Sequence, residues 1–317
     1  MKVFVQVPCL NEEETLPLVL DTIPAQVPGV QIEILIIDDG SSDRTVAVAR
    51  EHGVTHVVHH ARNRGLANSF ATGVHYSLAH GADIVVNTDG DNQYPQERIP
   101  DLIAPIVEGR ADIVVGDRQT GTIAHFSPLK RFLQRVGSHV VNLAAGTDVR
   151  DAASGFRAYS REALLKLNIV TDFSYSMETI IQAGHRRLRI ESVPITTNPK
   201  TRESRLFRSM WQHVAESGRA IVRSYLMFRP LAFFIPLGLL LTTASLVPFV
   251  RYLILWATSV AGDHIQSLIL GTALLVGGLL CFALGLLADL MRINRTLLEA
   301  SLERIKRLEY GNPSESR

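Results

Sequence analysis

The 317-residue chain has only two cysteines, Cys9 and Cys281. One lies in the first apolar strand and the other deep in an apolar run, so no bridge between them is expected and nothing points to an oxidising compartment. A surplus of charge is missing too. Lys+Arg 32 against Asp+Glu 31 leaves a formal net charge of +1, without the basic excess that neutralises a nucleic-acid backbone, so no nucleic-acid partner is expected. No Gly-x-Gly-x-x-Gly follows the first strand and no Walker loop occurs, which removes the main support for a dinucleotide or P-loop reading. Neither His-Glu-x-x-His nor paired Cys-x-x-Cys is present, so zinc is not expected. The N-terminus lacks the apolar core of a secretory signal, which predicts a cytosolic N-terminal domain. With 46% hydrophobic and 20% charged residues the chain is not disordered.

Charge is unevenly spread. Residues 231 to 290 carry three charged residues, Arg251, Asp263 and Asp289, of the 63 in the chain. The run Leu231 to Val250 has 20 uncharged residues and Ile265 to Ala288 has 24, each enough to cross roughly 30 Å of hydrocarbon as a helix. Arg219, Arg223 and Arg229 precede the first run; Arg292, Arg295, Arg304, Lys306 and Arg307 follow the second; only Arg251 lies between. The positive-inside rule therefore predicts a multi-pass protein of the cell membrane with its N-terminal domain and both termini in the cytoplasm. Before the first run, Phe207, Met210, Trp211, Val214, Ile221, Val222 and Tyr225 recur at helical spacing. That amphipathic helix lies either in the headgroup plane or on the soluble domain. The expected organisation is a cytosolic domain over 1–205, a juxtamembrane helix over 206–230, a two-helix hairpin over 231–290 and a cytosolic tail over 291–317.

In the first 120 residues, short apolar strands alternate with helical stretches. Strands are expected at Val3–Val7, Glu33–Asp38, Thr55–His60, Ile84–Thr88 and Ile113–Val115, with helices over 12–24, 43–52, 66–80 and 96–108. That order predicts an α/β fold with a mostly parallel sheet covered on both faces, binding its ligand at the carboxyl ends of the strands. Polar clusters fall at those ends: Pro8, Asn11 and Glu12 after the first, Asp38 to Ser41 after the second, Asp89 to Gln93 after the fourth. Asp89 and Asp91, with the amide oxygen of Gln93, are hard oxygen donors suited to Mg²⁺ or Mn²⁺ holding substrate phosphates. His56, His59 and His60 read as solvated or edge-strand residues, because neighbours on a strand point to opposite faces. Asn63, Arg64 and Gly65 form either a simple turn or a mobile loop beside the bound ligand.

These runs resemble a family. Val7-Pro8-Cys9-Leu10-Asn11-Glu12-Glu13 is similar to the first-strand motif of family 2 glycosyltransferases with a GT-A (Rossmann-like) fold, and Ile37-Asp38-Asp39-Gly40-Ser41-Ser42-Asp43 to their second. Asp89 to Gln93 with Tyr94, Pro95, Gln96 and Glu97 resembles the Asp-x-Asp-x-Gln-x-Pro-x-Glu form of dolichyl- and polyprenyl-phosphate sugar synthases. Ser154 to Ala158 and Arg202 to Phe207 resemble two further landmarks of that group. No Gln-x-x-Arg-Trp occurs, a departure from processive polysaccharide synthases.

The resemblance implies inverting transfer of a sugar from a nucleotide sugar to polyprenyl (undecaprenyl or dolichyl) phosphate. UDP-glucose or a UDP-N-acetylhexosamine is favoured as donor, with GDP-mannose left open. It implies that Pro8, Leu10, Glu12, Asp39, Asp89 and Gly90 bind the donor, Asp39 through a base N–H, and that Asp91 and Gln93 hold the metal, with Asp89, Asp91 and Asp151 as the catalytic set. A phosphate monoester is largely dianionic at neutral pH, so no strong general base is demanded; Asp151 or Asp89 is expected to orient the acceptor. Arg118, Lys130, Arg131, Arg202 and Arg205 are the candidate acceptor-phosphate ligands, since guanidinium forks pair with phosphate oxygens. Other readings are a transferase acting on a glycolipid or polysaccharide, and a membrane scaffold without catalysis. Self-association is left open.

Overall fold

The structure is a computed structural model that describes residues 1–119, 128–169, 175–199, 225–258 and 265–311. The chain divides into two compact units, Met1–Ile221 with Glu299–Arg317, and Val222–Leu298.

The first unit is built on a seven-stranded sheet: β1 (Lys2–Cys9), β2 (Gln31–Asp38), β3 (His56–His59), β4 (Ile84–Asn87), β5 (Ile113–Asp117), β6 (Arg157–Ser160) and β7 (Ile190–Pro194). Their spatial order is β3-β2-β1-β4-β6-β5-β7. Pairs β1–β2, β1–β4, β2–β3 and β5–β7 are parallel; β6 runs antiparallel to β4 and β5. The sheet is thus mostly parallel, as expected. Seven of the eight β1 residues and all of β4 are buried, the mark of strands covered on both faces. The covering helices are α1 (Leu16–Thr22), α2 (Thr45–Glu51), α3 (Leu66–Ala79), α4 (Ile99–Val107), α5 (Pro128–Ala145), α6 (Arg161–Lys166) and α7 (Tyr175–His185). The helix expected over 96–108 opens as a 3-10 turn, Gln96–Arg98, and becomes α-helical only at Ile99, because Pro100 favours a first-turn position.

Two parallel registers set the site. Cys9 stands opposite Asp38, and Asp38 opposite His59, so the chain leaves β1, β2 and β3 at one edge of the sheet.

The second unit holds α8 (Pro230–Ala257) and most of α9 (Ile265–Tyr310). Both are long and apolar enough to cross a membrane. Within that unit, Gly271, Gly278 and Gly285 of α9 recur every seven residues and are buried. Side chains added there would press on Phe249, Thr242 and Phe234 of α8, so small residues are what lets the two helices approach. The last turns of α9 belong to the first unit. There Arg186 Nη2 and Nη1 reach Glu299 and Glu303 at 3.3 and 3.1 Å, and Arg307 forks onto Glu162 at 3.0 and 2.7 Å. Lys306 donates to the Leu167 carbonyl at 2.7 Å.

Candidate active site

The loops after β1, β2 and β4 are laced together by hydrogen bonds that cross between them. Asn11 N donates to Ser41 Oγ at 2.9 Å, Ser42 N donates back to Asn11 Oδ1 at 2.8 Å, and Glu12 N donates to Thr45 Oγ1 at 2.8 Å. The Thr15 hydroxyl lies 2.7 Å from Glu12 Oε2 and 2.8 Å from the Gly90 carbonyl. Gly40, at φ +81°, makes the turn after β2; a Cβ there would sit 2.8 Å from the Arg62 backbone carbon, so only glycine fits. Gly90 packs against Cys9, Glu12 and Pro8. Pro8, Glu12, Asp39, Gly90 and the Asp89–Gln93 loop are therefore on one edge, with Leu10 at the end of β1.

Asp39 is buried and multiply held. Its Oδ1 accepts from His60 Nδ1 at 2.8 Å and from Arg64 N at 2.9 Å, and its Oδ2 accepts from Gly65 N at 2.9 Å. His60 is 6% exposed and its Nε2 is 3.1 Å from Thr72 Oγ1. Of the two roles expected for it, solvated or edge-strand, the first does not hold: His60 directly follows the edge strand β3 but is buried. The Asp38–His59 register delivers the next residue, His60, to the next carboxylate, Asp39. His59 is the half-exposed one, its Nδ1 2.5 Å from Asp38 Oδ2. The residues after β3, Arg64 and Gly65, form the backbone clasp on Asp39 at the start of α3.

At the end of β4, Asp91 Oδ2 accepts from Gln93 Nε2 at 2.9 Å and Asp91 Oδ1 from Gln93 N at 3.2 Å. Gln93 Oε1 has no hydrogen bond among the described residues, which leaves it as a spare hard-oxygen donor beside Asp91. Among the described residues no three His, Cys, Asp or Glu side chains form a metal cage. A two-residue oxygen set fits a cation that takes its remaining ligands from water and substrate phosphates, as Mg²⁺ does. The loop is pinned by Asn198, beyond β7, whose Nδ2 donates to the carbonyls of Asn92 and Tyr94, each at 3.1 Å, and whose N donates to that of Gln93 at 3.0 Å. Nothing in the sequence marks Asn198, more than 100 residues downstream.

Asp89 faces Gly155: a Cβ on Gly155 would lie 3.2 Å from Asp89 Oδ2 and from the Tyr175 hydroxyl. Gly155 is fixed on both sides, its N donating to Tyr94 Oη at 2.8 Å and its carbonyl accepting from Asn87 Nδ2 at 3.0 Å. Burial pushes the Tyr94 phenol up to about 12, against the opposing pull of Arg118. Arg157, fully buried, holds the same loop through the carbonyls of Ser154 (2.7 Å) and Ala152 (2.8 Å) and ties it to α7 through that of Ser176 (2.6 Å).

Beyond β5, Arg118 and Asp151 form a fork: Nε to Oδ2 at 2.7 Å, Nη2 to Oδ1 at 2.9 Å, with Arg118 N adding 3.3 Å to Oδ2. Burial would raise the Asp151 pKa, but Arg118 outweighs it and holds this carboxyl below the usual range. Arg118 Nη1 has no hydrogen-bond partner among the described residues. Lys130 and Arg131 open α5, but their side chains lie outside the described residues, as do Arg202, Arg205 and the amphipathic segment before Tyr225.

A mostly parallel sheet with acidic, glycine-punctuated loops at one edge defines the GT-A class of glycosyltransferase. The chain belongs to glycosyl transferase family 2, whose pattern matches residues 4–167. It is 28% identical over 206 residues to polyprenol monophosphomannose synthase of Mycolicibacterium smegmatis, covering 62% of this chain and 77% of that protein. With dolichyl-phosphate hexose transferase of Haloferax volcanii it shares 31% over 196 residues, 62% of this chain and 82% of that one. Glucosyl-3-phosphoglycerate synthase of Mycobacterium tuberculosis, solved with Mn²⁺, uridine diphosphate and phosphoglyceric acid, superposes with a TM-score of 0.56 at 22% identity, over 71% of this chain and 77% of that one. That likeness is one of fold.

Proposed function

We propose that this protein is a membrane-anchored transferase that moves a hexose from a nucleoside diphosphate sugar to the phosphate of a polyprenyl phosphate, inverting the anomeric carbon. The carrying observation is the lacing of three strand-end loops, which sets Glu12, Asp39, Asp89 and Asp91 along one edge. Pro8, Leu10, Glu12 and Gly90 line the donor's nucleoside, Asp39 takes an N–H of its base, and Asp89 lies beside the sugar. Asp91 and Gln93 would hold Mg²⁺ or Mn²⁺, which when bound neutralises charge on the departing diphosphate.

The acceptor phosphate attacks the anomeric carbon as the bond to the donor's β-phosphate breaks. Already dianionic, it has no proton to surrender. Asp151, with both oxygens engaged by Arg118, is suited to orient that guanidinium rather than to take a proton. Arg118 then offers Nη1 to the acceptor, with Lys130, Arg131, Arg202 and Arg205 as further cations. In-line displacement turns an α-linked donor into a β-linked lipid. The two apolar helices anchor the chain, with the catalytic domain and both termini in the cytoplasm.

The test uses the full-length protein with polyprenyl phosphate, Mg²⁺ and, in turn, labelled UDP-glucose, UDP-N-acetylglucosamine and GDP-mannose. One donor should yield a labelled lipid. Chelation with EDTA should stop the reaction, and Mg²⁺ or Mn²⁺ restore it. Asp91→Ala should cost about a hundredfold or more in rate while the protein stays folded. No labelled lipid from any donor, or near-wild-type rates in Asp91→Ala, would overturn the proposal.

A further inference from the structure

We infer that His60, acting through Asp39, is a positioning residue that selects uracil over guanine as the base of the donor nucleotide. This rests on the reading that Asp39 takes an N–H of that base, and adds which base it is.

An ionised carboxylate has about four accepting positions, two on each oxygen. On Asp39, His60 Nδ1 and Arg64 N occupy both positions of Oδ1 at 2.8 and 2.9 Å, and Gly65 N occupies one of Oδ2 at 2.9 Å. No further donor reaches the Asp39 carboxylate among the described residues, so one position, on Oδ2, is open. His60 cannot turn away without loss. Its Nδ1 lies 2.8 Å from Asp39 Oδ1, its Nε2 lies 3.1 Å from the Thr72 hydroxyl, and the ring is 6% exposed.

One open acceptor matches one donor. Uracil presents a single ring N–H between two carbonyl oxygens, and those oxygens are compatible with neighbouring N–H groups. Guanine presents a ring N–H and an amino group side by side, a pair that a carboxylate satisfies with both oxygens at once. Oδ1 already accepts twice, so guanine's second donor would be buried without a partner, facing N–H groups. Cytosine and adenine place a ring nitrogen lone pair at the carboxylate, which repels. Removing the imidazole reopens a position on Oδ1 and creates the two-oxygen acceptor that guanine needs.

The experiment is calorimetric titration of the full-length protein with UDP and with GDP, each in Mg²⁺. The wild type should bind UDP about tenfold or more tightly than GDP. In His60→Ala the UDP/GDP ratio should collapse towards one, UDP weakening while GDP strengthens. His60→Asn, whose amide N–H can replace Nδ1–H, should keep the preference. Thr72→Val, which leaves the imidazole in place but takes away its Nε2 partner, should move the ratio the same way by less, and serves if His60→Ala fails to fold. A merely structural role would weaken both nucleotides alike and leave the ratio unchanged. An unchanged ratio in His60→Ala and Thr72→Val, or GDP binding as tight as UDP in the wild type, overturns the inference while the donor site stands. Failure of the wild type to bind either nucleotide removes the donor-site reading itself, and this inference with it.

Discussion

Asp151, expected from the resemblance to belong to the catalytic set and to orient the acceptor, is engaged by a neighbouring cation. Both of its oxygens serve Arg118, and the two side chains are 4% and 15% exposed, so the pair is shielded from solvent. Taking away one member leaves the other charge buried, and Asp151→Asn should cost about 3 kcal/mol of stability at neutral pH. The folded pKa of Asp151 is depressed. Its stabilisation is therefore complete above the unfolded carboxyl value of about 3.9 and disappears as pH falls through the lower folded value. Thermal unfolding of wild type and Asp151→Asn should differ clearly at pH 7 and draw together only as pH falls below the unfolded carboxyl value of about 3.9 and through the lower folded one. Legibility at this scale follows distance along the chain. Glu12, Asp39, Asp89 and Asp91 stand directly after apolar runs and announce themselves. His60 and Asn198 do not, because strand register or a distant loop brings each to its partner; Arg157 lies in the marked run Ser154 to Ala158, but its grip on three carbonyls is not legible there.

Elements are legible where their patterning is simple. The strands and helices up to β5 follow from apolar runs separated by turns. β6 escapes detection because it is four residues long and opens with Arg157, a cation that the core accepts only by surrounding it with carbonyl oxygens. α9 is legible as an apolar run but not in its full extent. It stays helical to Tyr310, and its last turns meet α6 and α7 through Arg186, Glu299, Glu303, Arg307 and Glu162. Arg186, Glu299 and Glu303 are between 13% and 21% exposed, so their pairing should exceed that of open surface pairs. Arg186→Ala should lower stability by about 2 kcal/mol and expose residues 299–311 to protease. Arg186→Glu combined with Glu303→Arg should recover part of that protection, measured by limited proteolysis.

Across the whole molecule, composition alone separates a charged catalytic half from an apolar hairpin. Near-neutral net charge, with neither a Gly-x-Gly-x-x-Gly nor a Walker loop in the sequence, removes the nucleic-acid, dinucleotide and P-loop readings. Family membership rests on residues 4–167, short of β7, α8 and α9. The acceptor proposed above rests on the resemblance to polyprenyl- and dolichyl-phosphate sugar transferases; Arg118 and the basic residues near the first apolar run are the cations that would meet its phosphate.

The most direct measurement of that central claim is mass spectrometry of the product formed by full-length protein given polyprenyl phosphate, the matching dephosphorylated polyprenol and diacylglycerol side by side. The account predicts a single hexose added to polyprenyl phosphate alone, with its one phosphorus retained between sugar and lipid. Transfer to the polyprenol or diacylglycerol at a comparable rate, or a product without that bridging phosphate, would contradict it.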